Sequence, residues 1–261
     1  MVTCDKVLAV MEKIAPKALA EEWDNVGLLV GSPRQEVHKI LVCLDANEDI
    51  IDEAMEAGAD LIVSHHPLIF KAIKAVRTDS SLGARLQKLL AHNIALIAAH
   101  TNLDAAPGGV NDTLAASLGL TEIKPLDKNA TAESPGLGRL GLLPTAMSLT
   151  DFGELVKKAL GLKQVRVVKA REAPVKKVAL CGGSGAEFID RAAFRGADVY
   201  VTGDVRYHDA QRAAELGLNL IDAGHFATEQ PVVKVLAGKL AAEIPEVTVL
   251  TATRSTDFFT L

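Results

Sequence analysis

The sequence predicts an α/β protein of two similar lobes, each a mixed or parallel sheet flanked by helices. Three observations predict it. Short continuous apolar runs alternate with helical patterns. A stretch of the first half repeats in the second. In both halves, chemically active side chains gather where an apolar run ends.

The chain of 261 residues begins with a helix pattern from about Thr3 to Ile14, carrying Val7, Leu8, Met11 and Ile14 at helical spacing and punctuated by Pro16. Val26 to Gly31 reads as a strand. The apolar run Ile40 to Leu44 leads into a helix over Glu48 to Ala57 that Gly58 stops, and a second strand over Leu61 to Val63 follows. A helix over Leu82 to His92 and a strand over Ile94 to Ala99 continue the alternation.

Lys39 to His66 aligns without a gap onto Lys177 to Asp204. The match pairs Cys43 with Cys181, Ile51-Asp52 with Ile189-Asp190, and Gly58-Ala59-Asp60 with Gly196-Ala197-Asp198. A second stretch, Leu96 to His100 with Asp104 four residues on, parallels Leu220 to His225 with Glu229 four residues on. An internal duplication would give two similar lobes facing across a cleft. The lobes are expected at 1–124 and 125–261, with the C-terminal segment a candidate to return to the first. The segment from Thr121 to Ala173, with a glycine and proline cluster from Ser134 to Gly141 and a helix over Thr150 to Leu160, is assigned to the second lobe.

Composition narrows the function classes. Hydrophobic residues make up 49% and charged residues 23%, enough for a substantial core. No apolar run is long enough for a membrane span and the N-terminus lacks a signal-peptide layout, so the expected compartment is the cytoplasm, with no membrane partner. A net charge of -5 argues against a nucleic-acid partner and for small-molecule chemistry. Cys4, Cys43 and Cys181 are far apart and form no thiolate metal motif. Cys43 and Cys181 read as small buried hydrophobes.

The chemistry lies in five segments. In Ser64-His65-His66-Pro67 two imidazoles sit where the chain leaves a strand. Adjacent residues on a regular strand face opposite ways, so both serve one site only if the strand has ended; if they converge, a pair of ions gives each imidazole its own. A hydrogen-bonded turn is the other reading. In His100-Thr101-Asn102-Leu103-Asp104 a carboxylate comes to the same sheet edge, where it either binds cations or caps a turn. In His225-Phe226-Ala227-Thr228-Glu229-Gln230-Pro231, Thr228 is placed as a helix cap, with Glu229 near the helix start and His225 just before it. Asp204 and His208 fall at the strand end corresponding to His65-His66, as candidates to orient water or shuttle protons or as purely structural residues. Gly182-Gly183-Ser184-Gly185 after Cys181 is either an anion-cradling loop or a tight turn. Two metal ions about 3.5–4 Å apart would activate water and polarise a carbonyl or phosphoryl oxygen, which makes hydrolysis the expected reaction class.

Glu22-Trp23-Asp24-Asn25-Val26-Gly27-Leu28, Ser64 to Phe70, His100 to Asp104, Thr202-Gly203-Asp204 and His225 to Glu229 together resemble the Nif-three-like family, the GTP cyclohydrolase I type 2-like proteins, over nearly the whole chain. The resemblance implies a dinuclear site of His65, His66, Asp104, His225 and Glu229, with zinc, iron or manganese as the ions. It further implies a ring-shaped homohexamer and activity on a nucleotide such as GTP or another phosphate-bearing small molecule. Longer members carry an inserted domain for which the connecting segment here is too short, and Phe226 stands where a tyrosine is common. The alternative function is a non-catalytic metal-binding or regulatory scaffold.

Overall fold

The computed structural model describes residues 1–127, 129–131 and 135–259. Its elements in chain order are α1 (Cys4–Ile14), β1 (Gly27–Val30), β2 (Lys39–Cys43), α2 (Glu48–Ala57), β3 (Leu61–Ser64), α3 (Ser81–Ala91), β4 (Ala95–Ala98), α4 (Thr101–Ala105), α5 (Val110–Ser117), β5 (Thr121–Pro125), β6 (Arg139–Met147), α6 (Leu149–Leu160), β7 (Arg166–Val168), β8 (Val175–Ser184), α7 (Ile189–Phe194), β9 (Val199–Gly203), α8 (Tyr207–Glu215), β10 (Asn219–Asp222), α9 (His225–Glu229), α10 (Pro231–Glu243) and β11 (Thr248–Thr251). The fold is α/β with two mixed sheets flanked by helices. No helix among the described residues is long and apolar enough to cross a membrane.

The chain divides into two compact units, 1–106 with 233–261, and 107–232. The division falls at 106/107 rather than at the expected 124/125 boundary. Residues 107–124 join the second unit because β5 pairs with β6 and Leu114, Ala115, Leu118 and Leu120 pack into its core. The C-terminal segment returns to the first unit because β11 pairs in parallel with β2. Ser134, where the expected glycine and proline cluster begins, lies outside the described residues.

The first unit holds a five-stranded sheet in the order β1-β4-β3-β2-β11. β2, β3 and β4 run parallel, and β1 is antiparallel to β4. Every residue of β3 and β4 is buried, as expected for strands covered on both faces. α2 begins where the Asn47 side chain accepts from Ile50 N (3.0 Å) and ends at Gly58, whose φ of 64° lies in the left-handed region that glycine enters without steric cost.

The second unit holds a six-stranded sheet in the order β5-β6-β8-β9-β10-β7. Alternate residues feed two cores. Val178, Leu180, Val199 and Val201 pack with Phe152 and Val156 of α6, while Ala179, Cys181 and Tyr200 pack with Ile189, Ala192 and Ala213 of α7 and α8. Cys4, Cys43 and Cys181 are all buried and outside any disulfide, and burial raises the Cys4 and Cys43 thiols above their ordinary range.

The repeated stretches share local contacts as well as letters. Asp60 Oδ2 accepts from His38 N (2.7 Å) and Lys39 N (3.0 Å), and Asp198 Oδ2 accepts from Lys176 N (3.0 Å) and Lys177 N (2.8 Å). The Lys39 ammonium donates to Ala57 O, and the Lys177 ammonium donates to Arg195 O. Ile40 lies opposite Leu61 in one sheet, as Val178 lies opposite Val199 in the other.

Candidate metal centre

β3 ends at Ser64, so His65 and His66 leave the regular strand and their rings converge, with centroids 4.9 Å apart. His65 is 1% exposed, and its Nδ1 lies 2.9 Å from Ala99 O. A carbonyl oxygen can only accept, so Nδ1 carries a proton, and in the neutral ring the lone pair is on Nε2. Nε2 in turn lies 3.6 Å from Asp104 Oδ1. His66 gives its Nδ1 to Asp45 Oδ1 at 2.7 Å. Asp104 sits in the short helix α4 rather than in a loop.

A residue outside the expected ligand set lies beside these imidazoles. His100 brings a ring nitrogen to within 4.8 Å of ring nitrogens of His65 and His66, and the three form a group able to hold a metal ion. Its Nδ1 is 2.9 Å from Asp24 Oδ1. Burial works to raise the Asp24 carboxyl, but hydrogen bonds from His100 and from Thr101 hold it well below the usual carboxylate range. Asp24 is therefore an anion that fixes the tautomer of His100. Trp23 (59% exposed) and Phe70 (46% exposed) flank His100, with ring centroids 6.2 and 6.3 Å from its own. Asn25 Nδ2 donates to Ile69 O at 2.6 Å and ties the two aromatic loops together.

In the second unit, His225 opens α9 and Glu229 closes it, one helical turn apart on the same side. His225 Nε2 lies 3.1 Å from Glu229 Oε2, and its Nδ1 lies 2.7 Å from Asp204 Oδ2. Asp204 reaches that position from a left-handed backbone (φ 55°), a conformation uncommon outside glycine and often found at functional sites. It orients His225 through the ring. His208 lies in the first turn of α8, exposed, with Nδ1 3.4 Å from Gln211 Oε1.

One sequence expectation changes here, and one open alternative closes. Thr228 is not the cap of a helix starting beyond it. Its hydroxyl donates back towards the carbonyls of Gly224 (2.9 Å) and His225 (2.8 Å) and accepts from Gly183 N (2.9 Å), while Pro231 opens the separate helix α10. The glycine loop is not an anion cradle. The N–H groups of Gly182, Gly183 and Gly185 already donate to the side-chain oxygens of Asn111, Thr228 and Thr202. The glycines serve packing instead. A Cβ on Gly183 would lie 2.1 Å from Glu229 Oε1, and one on Gly203 would lie 2.6 Å from His225 N.

The two His-to-carboxylate spacings also prove to be offset by one residue. Ala95 pairs with Leu61 as Asn219 pairs with Val199, so His100 corresponds to Gly224 and His225 to Thr101.

The donor chemistry suits a divalent cation. Four imidazoles have Nδ1 tied to an oxygen, the arrangement that fixes the ring orientation of metal-binding histidines. Glu229, 4% exposed, is a carboxylate whose burial a bound cation would offset.

The chain matches the Duf34/NIF3 (NGG1p interacting factor 3) family over residues 2–257. It is 40% identical over 234 residues to a GTP cyclohydrolase 1 type 2 homolog of Clostridium perfringens, covering 90% of this chain and 89% of that one. A protein of the same name from Bacillus subtilis is 32% identical over 327 aligned positions, covering 85% of this chain and 88% of that one. That alignment is longer than this chain, so the Bacillus protein carries sequence that this one lacks. Among solved structures, a Bacillus cereus protein related to NIF3 superposes with a TM-score of 0.93 at 30% identity, covering 100% of this chain and 99% of that one. On the strength of the family match along nearly its whole length, the chain belongs to the Duf34/NIF3 family.

Proposed function

We propose that the protein is a metal-dependent hydrolase acting on a nucleotide or another phosphate-bearing small molecule, with His65, His66, Asp104, His225 and Glu229 as ligands of two divalent ions. The observation that carries the reading is the uniform preparation of the imidazoles. The Nδ1 atoms of His65, His66, His100 and His225 lie 2.7–2.9 Å from oxygens of Ala99, Asp45, Asp24 and Asp204. Such constraint costs conformational entropy and serves a ring whose other nitrogen must point at something. Zinc, iron or manganese bound there would supply Lewis acidity and activation of water. Trp23 and Phe70 supply an aromatic surface beside His100 on which a nucleobase would stack, and Asn25 holds that surface in place. The names of the curated relatives support a GTP-like substrate.

The test is elemental analysis of protein purified without chelator, paired with hydrolysis assays on GTP and other nucleotides. Two ions per chain and turnover that disappears in His65→Ala are expected. A metal-loaded protein that turns over none of them overturns the catalytic reading.

A second reading is a metal-binding scaffold without chemistry. It is favoured by the placement of the two candidate proton-transfer groups, since Asp204 is engaged by His225 and His208 faces solvent beside Gln211. If His65→Ala and Glu229→Ala lose metal yet still rescue a deletion strain, catalysis is not the role. We further propose that the two units descend from a duplication, supported by the matched contacts of Asp60 and Asp198, and that the chain assembles as a homohexamer. Sedimentation at about six chain masses would bear out the assembly.

A further inference from the structure

After β11 the chain turns back over α2 and is held there at close intervals. Glu53 accepts from Thr253 N (2.7 Å), Thr253 Oγ1 (2.8 Å) and Arg254 N (3.0 Å). The Arg254 guanidinium donates to Asp49 O (2.9 Å) and Glu56 Oε2 (2.6 Å). This strap delivers Thr256 to the carboxyl end of β2. Thr256 is 5% exposed, although Phe258 and Phe259 just beyond it stand in solvent, so its burial is specific to that side chain. Its hydroxyl donates to Asp45 Oδ2 at 2.9 Å, while Asp45 Oδ1 takes His66 Nδ1 at 2.7 Å.

We infer that Thr256 is a positioning residue for the metal-binding imidazole of His66, acting through Asp45, so that the C-terminal strap is part of the site. The inference rests on the proposed reading of His66 as a ligand. A carboxylate is planar, and Asp45 has an exposed edge from which it could swing into water. A hydroxyl on one oxygen and an imidazole N–H on the other hold the plane, and with it the His66 ring and tautomer. No chemically reactive role falls to Thr256 itself.

The test uses the full chain, stripped of metal and retitrated with Zn2+ against a chromophoric chelator. Thr256→Val keeps the shape and removes the hydroxyl. It should weaken Zn2+ binding roughly 3- to 10-fold, below the loss usual for a direct partner of a ligand, and Thr256→Ser should restore it. In the metal-free protein, imidazole 15N shifts should report His66 protonated on Nδ1, with Thr256→Val shifting it towards a mixture of tautomers. Should Thr256→Val not fold, Thr256→Ala carries the same comparison. Wild-type Zn2+ affinity together with an unaltered His66 spectrum overturns the inference. His66→Ala separates the two failures. If it leaves Zn2+ affinity unchanged, the ligand assignment falls, and the tautomer spectrum alone then decides whether Thr256 positions the ring.

Discussion

The two sheets share a frame and differ at its working edge. From the outer antiparallel strand inwards, β1-β4-β3-β2 in one unit matches β7-β10-β9-β8 in the other, with the same strand directions. Asp60 and Asp198 clamp equivalent backbone turns. At the end of β3, however, stand His65 and His66, where the gap-free alignment puts Gly203 and Asp204 at the end of β9. One unit supplies imidazoles from the strand end. The other clears that end with glycine and supplies its imidazole and carboxylate from α9. Contacts that make the frame match in the two units, while the side chains at the strand ends differ.

The sharpest way to break that comparison is at Gly183, which the alignment pairs with Asp45. In the first unit this position holds a carboxylate for His66; in the second it must stay bare because Glu229 occupies the space. Gly183→Ala puts a Cβ 2.1 Å from Glu229 Oε1 at a φ of 64°, so overpacking and backbone strain act together. A loss of about 3 kcal/mol in urea unfolding is expected. A wild-type unfolding midpoint would mean that α9 yields freely, and the assigned role of the glycine would be lost.

How much of this was legible beforehand follows from the range of each signal. The strands, α2 and its Gly58 stop are written in local periodicity and cap chemistry, and the apolar runs placed His65, His66 and Asp104 near one sheet edge. His100 carries no local signal as a candidate ligand, because what orients it is Asp24, far away in sequence and brought in by tertiary folding. The glycine loop was ambiguous because nothing local reveals that Asn111, Thr202 and Thr228 occupy its N–H groups. The boundary lies at 106/107 rather than near 124 because the pairing of β5 with β6 is non-local.

A smaller effect sharpens the frame itself. Asp60→Ala and Asp198→Ala each leave two backbone N–H groups without their carboxylate acceptor, and each should cost about 2 kcal/mol. Asp198 also accepts from Arg171 Nη2 at 2.7 Å, a partly exposed pair that adds no more than about 1 kcal/mol. Denaturant unfolding should therefore give similar losses, with the excess at Asp198 absent in an Arg171→Ala background. Losses that differ severalfold would show that the matched contacts do unequal work in the two units.

The smallest expected effect concerns acid. The alignment pairs Glu53 with Arg191, so an anionic anchor in one unit corresponds to a cationic position in the other. Burial works to raise the Glu53 carboxyl, but hydrogen bonds from Arg254 and Thr253 and the Arg254 charge prevail and lower it. Because the folded value is the lower one, the stabilisation is complete above the ordinary glutamate range of roughly 4.3 and is lost as pH falls through the folded value. The carboxylate is partly screened by solvent, so the contribution is under about 1 kcal/mol. Glu53→Gln should therefore lower wild-type stability slightly at pH 7 and converge with it in acid. Amide exchange of the 252–256 strap should quicken in acid in the wild type before that of β8 and β9. Acid quickening of the strap that persists unchanged in Glu53→Gln would remove Glu53 as its source.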